Sequence, residues 1–182
     1  MTTLTIHTVE TAPADSKPLL EKSFKANGRI PGLHGVLAGS PGLLAAYQTL
    51  HEQFVNSSFD NEELTVVWQT INVEHECHYC VPAHTGIANM MKVDPALTEA
   101  LRNSEPMPTD KLQALHDTTL AMVRKRGQLT EEEVTNFYAA GYGEQQLLEI
   151  ILGLSQKVIS NYTNRIAETP VDAVFEKFAW SK

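Results

Sequence analysis

The chain has 182 residues, 42% hydrophobic and 20% charged, which is one domain of ordinary size with enough chain to bury a sizeable core. Lys and Arg total 14 against 22 Asp and Glu, a net charge of -8. That is the wrong sign for a broad face gripping phosphate backbones or anionic lipid, so neither nucleic acid nor a membrane is an expected partner. Two cysteines cannot build a disulfide scaffold; the first twenty residues lack the basic-then-apolar order of a secretory signal, and no apolar run reaches spanning length. The expected address is the cytoplasm.

Residues 1–14 read as a loose lead-in, with alternation at Leu4, Ile6 and Val9 that fits an added strand or nothing regular. Pro31, Gly32, Gly35, Gly39, Pro41 and Gly42 make the next stretch turn-rich, so 1–39 is expected to be looser than the rest of a single domain over 1–182. Ser40-Pro41 is a cap and first-position pair for a helix through Leu44, Tyr47, Leu50 and Phe54. Asp60 or Asn61 caps the next, with Glu62 and Glu63 favoured in its first turn and an apolar stripe at Leu64, Val67, Trp68 and Ile71. Its run Thr65-Val66-Val67 is β-branched, but the polar residues do not alternate, so helix is preferred over strand.

A further helix is expected to begin around Cys77 and run to Met91, tolerating Pro82 in its first turn. Asp94-Pro95 opens a short helix to about Asn103. Thr109 or Asp110 opens another that closes on Arg124, Lys125, Arg126 and Gly127, and Thr130 to Glu133 is a capping box. Residues 144–167 carry Leu147, Leu148, Ile151, Leu154, Val158, Ile159, Tyr162 and Ile166 in one long helix. Pro170 breaks it before a last short helix reaching Phe178 or Trp180. The expected class is all-α, with no fixed-period repeat.

Chemistry concentrates in Glu74-His75-Glu76-Cys77-His78-Tyr79-Cys80-Val81-Pro82-Ala83-His84, an E-x-x-C-x-x-C-x-x-x-H pattern. Cysteines at i and i+3 face the same way, and a helix N-terminus favours a thiolate. His84, four residues after Cys80, shares its face and can accept or return a proton. Glu74 can orient an imidazole or end a relay. Zinc competes, since Cys77, Cys80, His84 and Glu74 are all possible ligands; three ligands crowded on one helix rarely close a tetrahedron, and no second Cys pair follows. His75 and His78 read as polar flanks of the site, His51 and His116 as ordinary histidines. Tyr47, Phe54, Phe59, Trp68, Tyr79 and Phe137 read as core. No phosphate-cradling glycine motif occurs.

The C-x-x-C-x-x-x-H segment within Trp68 to Ala88, with the looser tail phrases Ser160-Asn161-Tyr162-Thr163-Asn164 and Thr169-Pro170-Val171-Asp172, resembles the alkylhydroperoxidase D-like (AhpD-like) branch of the carboxymuconolactone decarboxylase family. The resemblance implies an AhpD-like helical bundle, a trimer or hexamer, and a thiol-dependent hydroperoxide reductase without metal or bound cofactor. By the same resemblance Cys80 is the peroxidatic thiol, His84 activates it, and Cys77 resolves the sulfenic acid to a disulfide that an external lipoyl-type dithiol reopens. The family's relay carboxylate belongs about twelve residues before the first Cys, where this chain has Thr65; Glu74 is the expected substitute and Glu63 the next. If neither reaches His84, disulfide exchange competes with peroxidase turnover. The alternative is a non-enzymatic helical oligomer whose Cys pair senses redox state.

Overall fold

The computed structural model describes residues 4–182. Nine α-helices are present among them: α1 (Lys17–Asn27), α2 (Gly32–Leu37), α3 (Pro41–Val55), α4 (Asn61–Glu74), α5 (Cys80–Met90), α6 (Pro95–Asn103), α7 (Asp110–Arg124), α8 (Glu131–Ala139) and α9 (Glu144–Ala167). Two 3-10 turns, Ala14–Ser16 and Ala173–Phe178, precede the first helix and follow the last. No strand occurs among the described residues.

The expected helix starts hold where cap chemistry is strong. Asp60 accepts from Glu63 N–H while the Glu63 carboxylate accepts from Asp60 N–H, and Thr130 and Glu133 close the same reciprocal box on α8. Asp94 and Thr109 cap α6 and α7 with their side chains. The β-branched run inside α4 is helical, because every residue from 63 to 73 is buried and packing outweighs a weak local preference.

The expectation of a loose segment over 1–39 misses two helices. Residues 1–3 lie outside the described part, and Leu4, Ile6 and Val9 form no strand; one backbone bond, from His7 N–H to Gly35 O, ties this stretch to α2. Leu20, Leu33 and Leu37 are buried, so α1 and α2 are held by tertiary burial that their glycine- and proline-rich flanks do not advertise.

Helix α4 is the centre, packed against α5, α6, α7 and α9, while α3 lies along α9. The close approach of α3 and α9 needs Gly153, where a Cβ would come within 2.7 Å of the Phe54 ring. Two apolar clusters result. One gathers Phe54, Trp68, Ile71, Leu115, Phe137 and Ile150; the other joins Leu20, Leu33, Leu37, Leu44 and Tyr47 to Cys77, Cys80 and Ala83. The cysteines therefore sit in the wall between the N-terminal helices and the central bundle.

Candidate active site

The turn that delivers the cysteines is set by the end of α4. Glu76 takes a left-handed conformation (φ 50), and Glu76 N–H and Cys77 N–H bond back to Val73 O and Asn72 O, the paired closure of a Schellman motif. A non-glycine residue there costs about 1 kcal/mol. This corrects the expected helix start: α5 begins at Cys80, and Cys77 lies in the turn before it. The Cys77 sulfur accepts from Cys80 N–H at 3.3 Å, so the first thiol caps the helix that carries the second.

The two thiols are electrostatically unequal. Burial pushes Cys80 up, yet the hydrogen bond from Cys77, the Lys157 charge and the amides of Asn164 and Asn161 together hold it at about 6. Asn164 Nδ2–H donates to the Cys80 sulfur at 3.3 Å. Cys77 is pushed well up, first by its hydrogen bond to Cys80, then by burial and the neighbouring negative charge. These opposite shifts favour the thiolate at Cys80 and the thiol at Cys77. Both cysteines are free and buried, Cys80 at 2% exposure.

His84 lies one turn into α5 on the same face, as its spacing requires, with its ring 4.7 Å from that of Trp68. Its partner is Lys157, whose Nζ is 2.9 Å from His84 Nε2. With Lys157 as an ammonium, which can only donate, Nε2 is the acceptor and the proton of a neutral imidazole sits on Nδ1. Burial, then the Lys157 charge, then His51 hold His84 well below its ordinary value, which makes it neutral. Nδ1 is buried without a hydrogen-bond partner among the described residues.

The carboxylates expected behind His84 are elsewhere. Glu74, the last residue of α4, accepts two hydrogen bonds from the Arg124 guanidinium at 2.7 and 2.8 Å. Glu63 closes the α4 capping box and pairs with Lys111 at 2.8 Å. Thr65 Oγ1 donates back to Asn61 O inside its own helix. Cys77, Cys80 and His84 are thus brought to one site, and Glu74 is not. His75 pairs with Asn161 and His78 with Thr169 O, at 2.9 Å each.

Residues without an assigned role in the sequence supply the rest. On α9, Lys157, Asn161 and Asn164 recur at helical spacing, and all are buried, Lys157 at 1% exposure. Asn161 Nδ2 donates to Asn72 Oδ1, Asn72 Nδ2 to Gln69 Oε1, and Gln69 Nε2 to Val81 O, an amide ladder from α9 through α4 to the first turn of α5. The signal was the polar stripe 157–161–164 within an otherwise apolar-striped helix.

A cavity of about 840 Å3 opens beside the thiols. Cys80, His84 and Lys157 line it together with Tyr47, Ile87 and Phe175. Two more lining histidines, His34 and His51, are held near 4 chiefly by burial and are uncharged at neutrality. Asp172, in the segment after α9, accepts from Arg29 at 2.6 Å, from Tyr79 OH at 2.7 Å and from Gly32 N–H at 3.0 Å, and so ties the C-terminal wall of the cavity to α2 and the CxxC turn. Trp68, Phe54, Phe59 and Phe137 belong to the core, while Tyr47 and Tyr79 serve core and cavity at once.

No group of three or more His, Cys, Asp or Glu among the described residues is placed to hold a metal ion. No helix among them is long and apolar enough to cross a membrane.

The bundle is the AhpD-like all-α fold. The uncharacterized peroxidase-related protein of Ralstonia eutropha JMP134, an alkylhydroperoxidase AhpD core, matches with a TM-score of 0.81 at 16% identity over 93% of this chain and 92% of that one. A peroxidase-related protein of Silicibacter sp. TM1040 matches at 0.78 and 16%, covering 95% and 94%. The debrominase Bmp8 matches at 0.79 and 17%, covering 97% and 96%; it has also been solved as a cysteine-to-alanine variant in complex with 2,3,4-tribromopyrrole. No family model matches the sequence, and no curated protein does. The likeness is one of fold, and the fold hosts more than one named activity.

Proposed function

We propose that this protein is a thiol-dependent hydroperoxide reductase whose working pair is Cys80 and Cys77. The observation that carries the reading is the inequality of the two thiols: a thiolate at a helix N-terminus, held by Asn164 and hydrogen-bonded by a thiol three residues earlier. Such a thiolate attacks the terminal oxygen of ROOH. The O–O bond breaks, the alkoxide leaves as ROH with a proton delivered from His84 Nδ1 and replaced at Nε2 so that the imidazole stays neutral, and Cys80 becomes a sulfenic acid. Cys77 then displaces its hydroxyl as water, forming the disulfide, and an external dithiol of lipoyl type reopens it by exchange. The chemistry requires no metal and no bound cofactor.

The rest of the reading follows from that cycle. A dithiol-fed enzyme with free cysteines suits a reducing compartment, the cytoplasm. The chain is read as one domain over 1–182. A homo-oligomer, trimer or hexamer, is supported by α9, where Leu148, Ile151, Tyr162 and Ile166 are all exposed and fall within an arc of about 60°. Exposed apolar stripes of that kind mark interfaces.

The second reading, disulfide exchange or redox sensing without peroxide turnover, is favoured by one observation: Glu74 and Glu63 are engaged away from His84. The deciding experiment follows free thiols by mass spectrometry during titration with an organic hydroperoxide, then after dihydrolipoamide, with NADH-coupled turnover in parallel. Sustained turnover that disappears in C80S, C77S and H84A supports the reductase. A reversible disulfide without turnover supports the sensor, and unreactive thiols sink both.

A further inference from the structure

With no carboxylate behind it, His84 needs another source for the proton it hands over. Its Nε2 is hydrogen-bonded to the amine of Lys157, a buried side chain on the cavity wall. We propose that Lys157 is the proton store of the site: its ammonium balances the Cys80 thiolate in the dithiol state and discharges through His84 as the pair is oxidised. This rests on the thiol reading above.

A lone ammonium is costly to bury, and an opposite charge must offset that cost. The titratable groups whose charges couple to Lys157 are Cys80 and His84 from α5, Cys77 from the turn and His51 from α3, while Tyr47 from α3 and His34 from α2 line the same cavity. The histidines are neutral, and Tyr47 is held protonated chiefly by burial. The acids on the cavity lining have cations of their own: Asp172 pairs with Arg29 and Glu52 with Lys22. Only the cysteines pull Lys157 back up against its burial. Disulfide formation removes that negative charge, and the lysine is left as an uncompensated buried cation.

The proton has somewhere to go. As Cys80 sulfur takes the terminal oxygen of ROOH, His84 Nδ1–H moves to the alkoxide and a Lys157 proton moves to Nε2, leaving the sulfenic acid, ROH and a neutral amine. Cys77–SH then condenses with Cys80–SOH to give the disulfide and water. A dithiol donor brings two protons with its two electrons; one returns to Cys77 and one to Lys157, restoring thiol, thiolate and ammonium. Charge and protons balance at each stage without exchange with solvent. A lysine that stayed charged would instead require one proton from solution for each disulfide formed.

The test counts that proton. The reduced full-length protein, in weakly buffered solution near neutrality with a pH indicator, is oxidised by cumene hydroperoxide; thiolate absorbance near 240 nm and disulfide are followed together. Thiolate that disappears into disulfide without net proton uptake is the expected result. Uptake of one proton per disulfide overturns the proposal and leaves the cysteine assignment standing. Absence of a thiolate before oxidation overturns the proposal and also removes the thiol inequality on which the reductase reading stands. Failure to form the disulfide overturns the thiol reading itself. Lys157→Arg keeps a cation that cannot discharge, so it is expected to retain the thiolate yet take up one proton per disulfide; a proton count like that of the unaltered protein would overturn the proposal.

Discussion

Lys157 Nζ and His84 Nε2 are 2.9 Å apart on the cavity wall, both residues buried. A carboxylate in that position would favour an imidazolium. The ammonium does the opposite, keeping the imidazole neutral with its proton on Nδ1 and leaving the positive charge to face the Cys80 thiolate.

Alkylation of Cys80 by iodoacetamide is expected to rise with pH through a midpoint near 6 and be level by neutrality, because the thiolate is the nucleophile and Cys80 is held at about 6. In Lys157→Met the midpoint moves toward that of an ordinary thiol, about 8.5, and the rate at pH 7 falls roughly 10- to 30-fold. Stopped-flow alkylation across the pH range measures both.

Asn164→Ala removes the side-chain N–H that Cys80 sulfur accepts. A hydrogen bond to a charged acceptor is worth about 1.5–3 kcal/mol, so the alkylation midpoint should rise by about one to two pH units. Asn164→Asp, which adds a like charge beside the thiolate, should move it further; an unchanged midpoint in both would remove Asn164 from the site.

Glu74→Gln tests the displaced carboxylate. Hydrogen bonding to Arg124 holds Glu74 below its ordinary value, so its contribution to stability is present above about pH 4.5 and lost as pH falls through the lowered folded-state value. The pair is substantially exposed to solvent, which limits its worth to about 0.5 kcal/mol. Thermal unfolding should shift little and peroxide reduction less than about twofold. A tenfold loss of activity would return Glu74 to the relay.

Gly153→Ala should destabilise the bundle by about 1–3 kcal/mol, because overpacked cores shift side chains and backbone to make room. The added Cβ would meet Phe54 Cε2 at 2.7 Å and Val67 Cγ1 at 3.0 Å, forcing α9 away from α3 and α4. Urea unfolding reads the change, and Phe54→Leu in the same chain should recover part of it.

How much was legible depended on whether the signal was local. The cap at Asp60 and the capping box at Thr130 are interactions within a few residues, and these expectations agree with the structure. Helices α1 and α2 were missed because their stability comes from burying Leu20, Leu33 and Leu37 against distant parts of the chain. The spacing starts α5 three residues early, since a glutamate at position 76 carries no local signal for a left-handed conformation.

The sequence by itself determined an all-α chain and put Cys77, Cys80 and His84 on one short segment, because helix periodicity and capping act over a few residues and are written in their order. Only the tertiary structure decided what stands behind them. Lys157 lies 73 residues beyond His84, and Arg124, which claims Glu74, lies 50 beyond it. Charge acts through space and is set by burial, so the packing of α9 against α5, not the spacing of the motif, chose a lysine over a carboxylate as the partner of the site's histidine.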